Sequence, residues 1–138
     1  MIYEVVVDTN VLVSALISNH TDAATVQLLN HILCGNLTLI YSKEIMCEYR
    51  EVLRRKKFKF DQEKINDLLT MLEKYGILVE PSPTAMLLTD KKDLPFYEAA
   101  MEKQQEGAYL VTGNLKHFPK EPFIVTARQM INLFNEKR

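Results

Sequence analysis

The sequence predicts an α/β fold: a three-layer α/β/α sandwich around a mainly parallel sheet of four to five strands. The first observation is alternation. Short β-branched runs and longer stretches with apolar residues at helical spacing succeed one another along the chain, which places helices on both faces of a parallel sheet. The second is the opening run Val5-Val6-Val7-Asp8-Thr9-Asn10, where a buried strand gives way to a polar turn and an apolar-periodic segment. The third is bulk composition. The 138 residues, 47% apolar and 25% charged, suit one globular domain spanning residues 1–138. A chain of this size buries roughly two-thirds of its unfolded surface.

Strand one is expected over residues 2–7, followed by a short helix over 11–17 with Asn10 as N-cap. Residues 19–22 read as a turn, and Thr21 or Asp22 can cap a helix running to Leu33. Val26, Leu29, Ile32 and Leu33 form its stripe, and Gly35 closes it in a left-handed conformation. A second strand is expected over 37–40. Ser42 then caps a helix in which Ile45, Met46, Tyr49, Val52 and Leu53 recur at helical spacing. Glu44 and Glu48, four apart, share another face. Positive charge at Arg54-Arg55-Lys56-Lys57 suits that helix's C-terminal dipole.

Asp61 caps the next helix, with Ile65, Leu68, Leu69, Leu72 and Tyr75 expected inward and Gly76 as its stop. A short strand is expected over 77–79, then the longest loop, over 80–93, broken by Pro81 and Pro83. Asp93-Leu94-Pro95 starts a helix, since proline is tolerated in the first turn. That helix extends over 96–106. Strands over 109–112 and 123–125 follow. Thr126 with Gln129 makes a capping box for the last helix. Crossovers between the parallel strands should be right-handed.

Net charge is −1, so any nucleic-acid binding has to be local. Cys34 and Cys47 lack metal-site spacing and are too few for a disulfide framework, as expected of a reducing cytoplasm. Glu4 and Asp8 fall where a signal peptide would be basic, and no apolar run approaches membrane-spanning length.

Polar groups cluster at expected strand ends: Asp8 with Asn10, Glu44 and Glu48, Asp90 and Asp93, Thr112 with Asn114. In a parallel sheet these ends share one edge, where ligands bind. Crowded carboxylates repel unless one takes a proton. Bound Mg²⁺ or Mn²⁺ removes the conflict and supports phosphodiester hydrolysis. Each residue also has a bland reading. Asp8, Asn10 and Asp93 are natural N-caps, Glu48 a solvated helix residue, and 112–114 a turn. His117 follows Asn114 closely and is placed to face the cleft, but a loop histidine reads more readily as structural or solvated; His20 and His31 carry no signal. Shared placement at strand ends raises the acids above these readings.

Asp8-Thr9-Asn10 after a β run resembles the opening of PIN domains. So do the segment Ser42-Lys43-Glu44-Ile45-Met46-Cys47-Glu48-Tyr49, followed by Val52-Leu53 and a basic stretch, then Asp93-Leu94-Pro95-Phe96, then Leu110-Val111-Thr112-Gly113-Asn114. The four blocks fall in family order and cover nearly the whole chain. They look closest to toxin components of bacterial toxin–antitoxin systems. The resemblance implies a metal-dependent endoribonuclease with Mg²⁺ or Mn²⁺ held by three or four acids. Asp8 matches the first acid, Glu48 the second with Glu44 as fallback, and Asp93 the third. Thr112 matches the hydroxyl residue after the last core strand. Asn114 stands where many members have a fourth aspartate, a departure that bears on the second metal. Asn10 would position Asp8 or a bound water, and Thr9 would only cap the helix. The resemblance further implies a homodimer, inhibited by a small antitoxin protein.

Arg54, Arg55, Lys56, Lys57 and Lys59 are interleaved with Phe58 and Phe60. The charges suit an RNA substrate or an acidic partner; aromatic faces can stack unpaired bases, but for these two rings core packing is the preferred reading. The rival functions are a non-catalytic RNA- or protein-binding module and a phosphate-accepting domain. The latter needs a second aspartate where Asn10 stands.

Overall fold

The computed structural model describes residues 2–84, 86, 88 and 90–136. Five strands make one sheet: β1 (Tyr3–Val7), β2 (Leu37–Tyr41), β3 (Ile77–Leu78), β4 (Tyr109–Val111) and β5 (Ile124–Val125). Their order is β3-β2-β1-β4-β5, and every pairing is parallel. Six α-helices accompany them: α1 (Thr9–Ile17), α2 (Ala24–Leu33), α3 (Lys43–Leu53), α4 (Gln62–Tyr75), α5 (Leu94–Glu102) and α6 (Ala127–Glu136). The α/β sandwich expected from the alternation is therefore the observed architecture.

Strand order explains the layers. The chain steps outward from β1 to β2 to β3, then returns to β4 on the other side of β1. Right-handed crossovers put α1 to α4 over one face and α5 over the opposite one. Val7, Leu39, Leu28, Tyr49 and Leu72 meet under the first group. Val5, Val6, Ile40 and Leu110 are fully buried, as a sheet covered on both faces requires.

β1 is the centre of the sheet. Val5 pairs with Leu39 on one side, and Val7 with Val111 on the other. The Asp8 amide continues the ladder by donating to the Val111 carbonyl at 2.9 Å. Asp8 is therefore fixed at the carboxyl end of the most central strand.

Several expectations for helix starts need correction. α1 begins at Thr9, and Asp8, not Asn10, occupies the cap position, with no capping bond from its side chain. Neither Thr21 nor Asp22 caps α2, which has Ala23 there. Asp93 precedes α5 in helical conformation, and its side chain makes no capping bond either. Ser42 does cap α3, accepting from the Ile45 amide at 3.2 Å, and Asp61 caps α4 through the Glu63 amide. The Thr126–Gln129 box is reciprocal, at 2.8 and 3.1 Å.

Of the stripe expected on α4, Ile65, Leu69 and Leu72 are buried, whereas Tyr75 is 66% exposed. Tyr75 ends the helix beside the edge strand β3, and the Lys74 ammonium lies over its ring. Gly76 stops α4 through space, not through φ. An added Cβ would lie 2.6 Å from the Leu72 carbonyl oxygen and 2.9 Å from that of Leu39. Gly35, by contrast, has φ 82 and closes α2 as expected.

Within the loop expected over 80–93, Ala85, Leu87 and Thr89 lie outside the described residues. Lys91–Asp93 forms a 3₁₀ turn leading into α5. The helix expected over 96–106 ends at Glu102, and a separate 3₁₀ turn covers Gln104–Glu106.

Candidate active site at the carboxyl edge of the sheet

Asp8 is 5% exposed, and Thr112, one residue beyond β4, is fully buried. Their elements are adjacent in the sheet, so the side chains meet. Thr112 Oγ1 donates to Asp8 Oδ2 at 2.8 Å. The same hydroxyl accepts from the Asn114 amide at 3.0 Å. One buried threonine therefore orients the carboxylate and shapes the turn after β4. Burial raises the Asp8 pKa above the usual aspartate range. The Thr112 bond opposes the shift, the Asp93 charge reinforces it, and the amides of Asn10 and Thr9 oppose it.

Glu48 is half-buried on α3 and accepts a hydrogen bond from Thr9 Oγ1. Thr9 is itself buried and follows Asp8 directly, so Glu48 is held beside the strand end. Glu44 lines the same cleft but is exposed. Of the two glutamates, only Glu48 is tied to the Asp8 segment. The neighbouring Tyr49 strengthens the attachment. Its hydroxyl, fully buried, donates to the Val7 carbonyl at 2.5 Å. Burial pushes that phenol far above its ordinary range, so it stays a donor.

Asp93 ends the 3₁₀ turn before α5. Freed from capping, its Oδ2 lies 3.1 Å from Nδ1 of His117, which sits in the turn after β4. Burial raises the Asp93 pKa. The bond and charge of His117 lower it, and the charges of Asp90 and Glu48 raise it. Asp8, Glu48 and Asp93 come from three separate elements, and the Asp93 charge acts on Asp8 as that of Glu48 acts on Asp93. They line one open cleft of about 630 Å³ together with Asn10. Asn114 is exposed and joins this group through its backbone bond to Thr112.

Sequence reasoning undervalued three residues. Thr9 holds Glu48 and is no mere helix cap. His117, in the turn after β4, holds Asp93. Tyr49 pins α3 to β1. All three bonds span at least 24 positions in sequence, so no local pattern announces them. The signal was proximity: Thr9 follows Asp8, Tyr49 follows Glu48, and His117 comes three residues after Asn114.

Among the described residues, no three His, Cys, Asp or Glu side chains stand close enough together to wrap a cation. The chemistry of the donors nevertheless suits a hard divalent cation. The groups are hard carboxylate oxygens, and like charges are crowded where burial already opposes ionisation. Mg²⁺ keeps several waters and needs only one or two direct carboxylates.

A family model described as PIN domain matches residues 4–116, which include Asp8, Glu48, Asp93, Thr112 and Asn114. No curated protein matches the chain. PIN domains are in general nucleases, and such nucleases generally use divalent metals. A match over most of the chain, on a five-stranded parallel sheet, establishes that this protein belongs to the PIN domain family.

Proposed function

We propose that this protein is a Mg²⁺- or Mn²⁺-dependent endoribonuclease that cleaves single-stranded RNA. One observation carries the reading. A buried aspartate at the end of the central strand, raised by burial and by a second acid, shares an open cleft with Glu48 and Asp93. Buried like charges at a strand edge destabilise a fold and are understandable as ligands for a cation.

Asp8, Glu48 and Asp93 would hold the cation, with Asn114 contributing an amide oxygen. When bound, it would supply positive charge to the phosphodiester and acidify water. The chain's own residues prepare the site. Thr112 orients Asp8, Thr9 orients Glu48, and His117 orients Asp93. Held in advance, the acids need not be gathered at the moment of reaction. Water attacks phosphorus, the bond to the 3′ oxygen breaks, and the product carries a 5′-phosphate.

By the same reading the chain is a single domain over residues 1–138. It acts in the cytoplasm as a homodimer and is the toxin of a toxin–antitoxin pair restrained by a small antitoxin protein. No described helix is long and apolar enough to cross a membrane.

The test is cleavage of a mixed single-stranded RNA pool with Mn²⁺, with Mg²⁺, with chelator, and with Asp8→Asn protein. Metal-dependent cutting that disappears in the variant supports the nuclease. Equal cutting by the variant, or none by folded wild-type protein, refutes it. In the second case a non-catalytic RNA- or protein-binding module becomes the better reading. That alternative is favoured by the amide at Asn114 and by the lack of a three-donor cage among the described residues. Titration calorimetry separates the two, since the enzyme must bind Mn²⁺ through Asp8. The toxin role predicts growth arrest on expression, relieved by a neighbouring gene's product.

A further inference from the structure

We infer that the turn after α3 is a nucleotide platform, on which Phe58 stacks one unpaired RNA base while Arg55, Lys57, Lys43 and Lys92 hold the flanking phosphates. The inference rests on the nuclease reading of the same cleft and names how the substrate is gripped there.

The turn is built, not frayed. Lys56–Phe58 form a 3₁₀ turn, and Lys59 follows at φ 56, the one non-glycine with positive φ among the described residues. That reversal brings Phe58 and Phe60 side by side, with ring centroids 5.4 Å apart and planes 16° from parallel. Gln62 ties the turn down by donating to the Leu53 and Phe60 carbonyls. Both rings are only partly buried. They pack against the core on one side, and Phe58 lines the acid cleft. Core packing therefore accounts for only part of the surroundings of Phe58.

Charge supplies the second argument. Lys43, Arg55, Lys57 and Lys92 line that cleft, and all four are exposed. Among the described residues, no salt bridge engages any of them. A cleft holding Asp8, Glu48 and Asp93 would repel a polyanion without such a counterweight. The chain's net charge of −1 offers none at long range. Lys57 Nζ lies over the Phe58 ring, 5.0 Å from its centroid. A cation over an exposed ring gains only a few-fold in equilibrium. A stacked base gains roughly tenfold or more. The base therefore displaces the ammonium, which is then free to meet a phosphate.

The chain has no tryptophan, so Phe58→Trp introduces a single tryptophan at the platform, excited selectively over the tyrosines. Binding is measured in chelator, in the Asp8→Asn background, so that nothing is cut. The probe is a labelled single-stranded oligoribonucleotide of mixed sequence, compared with the same strand made abasic. Base-bearing RNA should quench Phe58→Trp emission, and abasic RNA should not. Phe58→Ala should weaken base-bearing RNA roughly tenfold and leave abasic RNA nearly unchanged. Arg55→Ala and Lys57→Ala should weaken both strands, each lowering the salt slope by about 0.7. Emission unchanged at saturation, or equal weakening of both strands by Phe58→Ala, overturns the platform. Quenching of Phe58→Trp emission, beside a wild-type chain that never cuts, would refute the nuclease and keep the platform. Cutting without quenching would do the reverse.

Discussion

Burial raises the Asp8 pKa, with Thr112 lowering it and Asp93 raising it again. The folded chain therefore holds this proton more tightly than the unfolded chain does. The stability contributed by protonated Asp8 is complete below the ordinary aspartate range and is lost as pH rises through the raised value. At neutral pH the ionised group destabilises the fold. Asp8→Asn should accordingly raise the melting temperature at pH 7 in chelator, by roughly 4 °C for each kcal/mol relieved. The gain should shrink below about pH 4. Asparagine still accepts from Thr112, so the turn after β4 survives while cutting is lost. Calorimetric melts at two pH values check this, and a less stable Asp8→Asn at pH 7 would contradict it. Thr112→Val removes the one side-chain donor to Asp8 among the described residues and strands the Asn114 amide. We expect a loss of about 1–2 kcal/mol in stability and a fall of roughly ten- to a hundredfold in activity. The acid limb of the pH–rate profile should move to higher pH, because the lowering contribution is gone. Thr112→Ser should restore all three.

Beside Asp93 from the turn before α5, two elements meet at the end of β1, and each is held by a different device. α3 is capped by Ser42 and pinned by the Tyr49 hydroxyl to the Val7 carbonyl, one residue before Asp8. This sets how far Glu48 stands from the strand end. β4 contributes Thr112 directly through its pairing with β1. The stop of α4 shows how close the elements approach. At Gly76 an added Cβ meets two carbonyl oxygens of the backbone, which cannot swing aside as a side-chain end would. Gly76→Ala should cost about 1–3 kcal/mol through overpacking between α4 and β2, measured by urea unfolding. Since φ there is −81, the cost is steric, and Gly76→Ser should fare no better. A neutral Gly76→Ala would mean that α4 and β2 can separate freely.

At the scale of the whole molecule, one continuous core runs from Val5 and Val6 through Ile40, Leu53 and Phe96 to Met130 and Ile131. A single core predicts a single cooperative transition. Far-UV and near-UV dichroism should melt together, and separated transitions would refute the one-domain reading. Much of this was legible in the chain. The alternation of strand and helix periods named the architecture. Ser42, Asp61, Gly35 and the Thr126–Gln129 box marked element ends correctly, because each acts on backbone groups within a few residues. The acids at strand ends were legible too, since the parallel pattern implies a shared edge. What local pattern could not decide was which of a residue's two possible jobs would win. Asp8 and Asp93 are good caps by type, yet their carboxylates turn to Thr112 and His117, partners 104 and 24 positions away. Glu48 was separated from Glu44 only by Thr9, and Phe58 gained its cleft face only when the turn at Lys59 folded back. The sequence by itself determined the period of each element and the placement of each acid near its own strand end, because both follow from short-range geometry. The tertiary structure alone decided which hydroxyl, imidazole or ring each acid and cation would meet, because those contacts exist only once distant strands pair and helices pack against them.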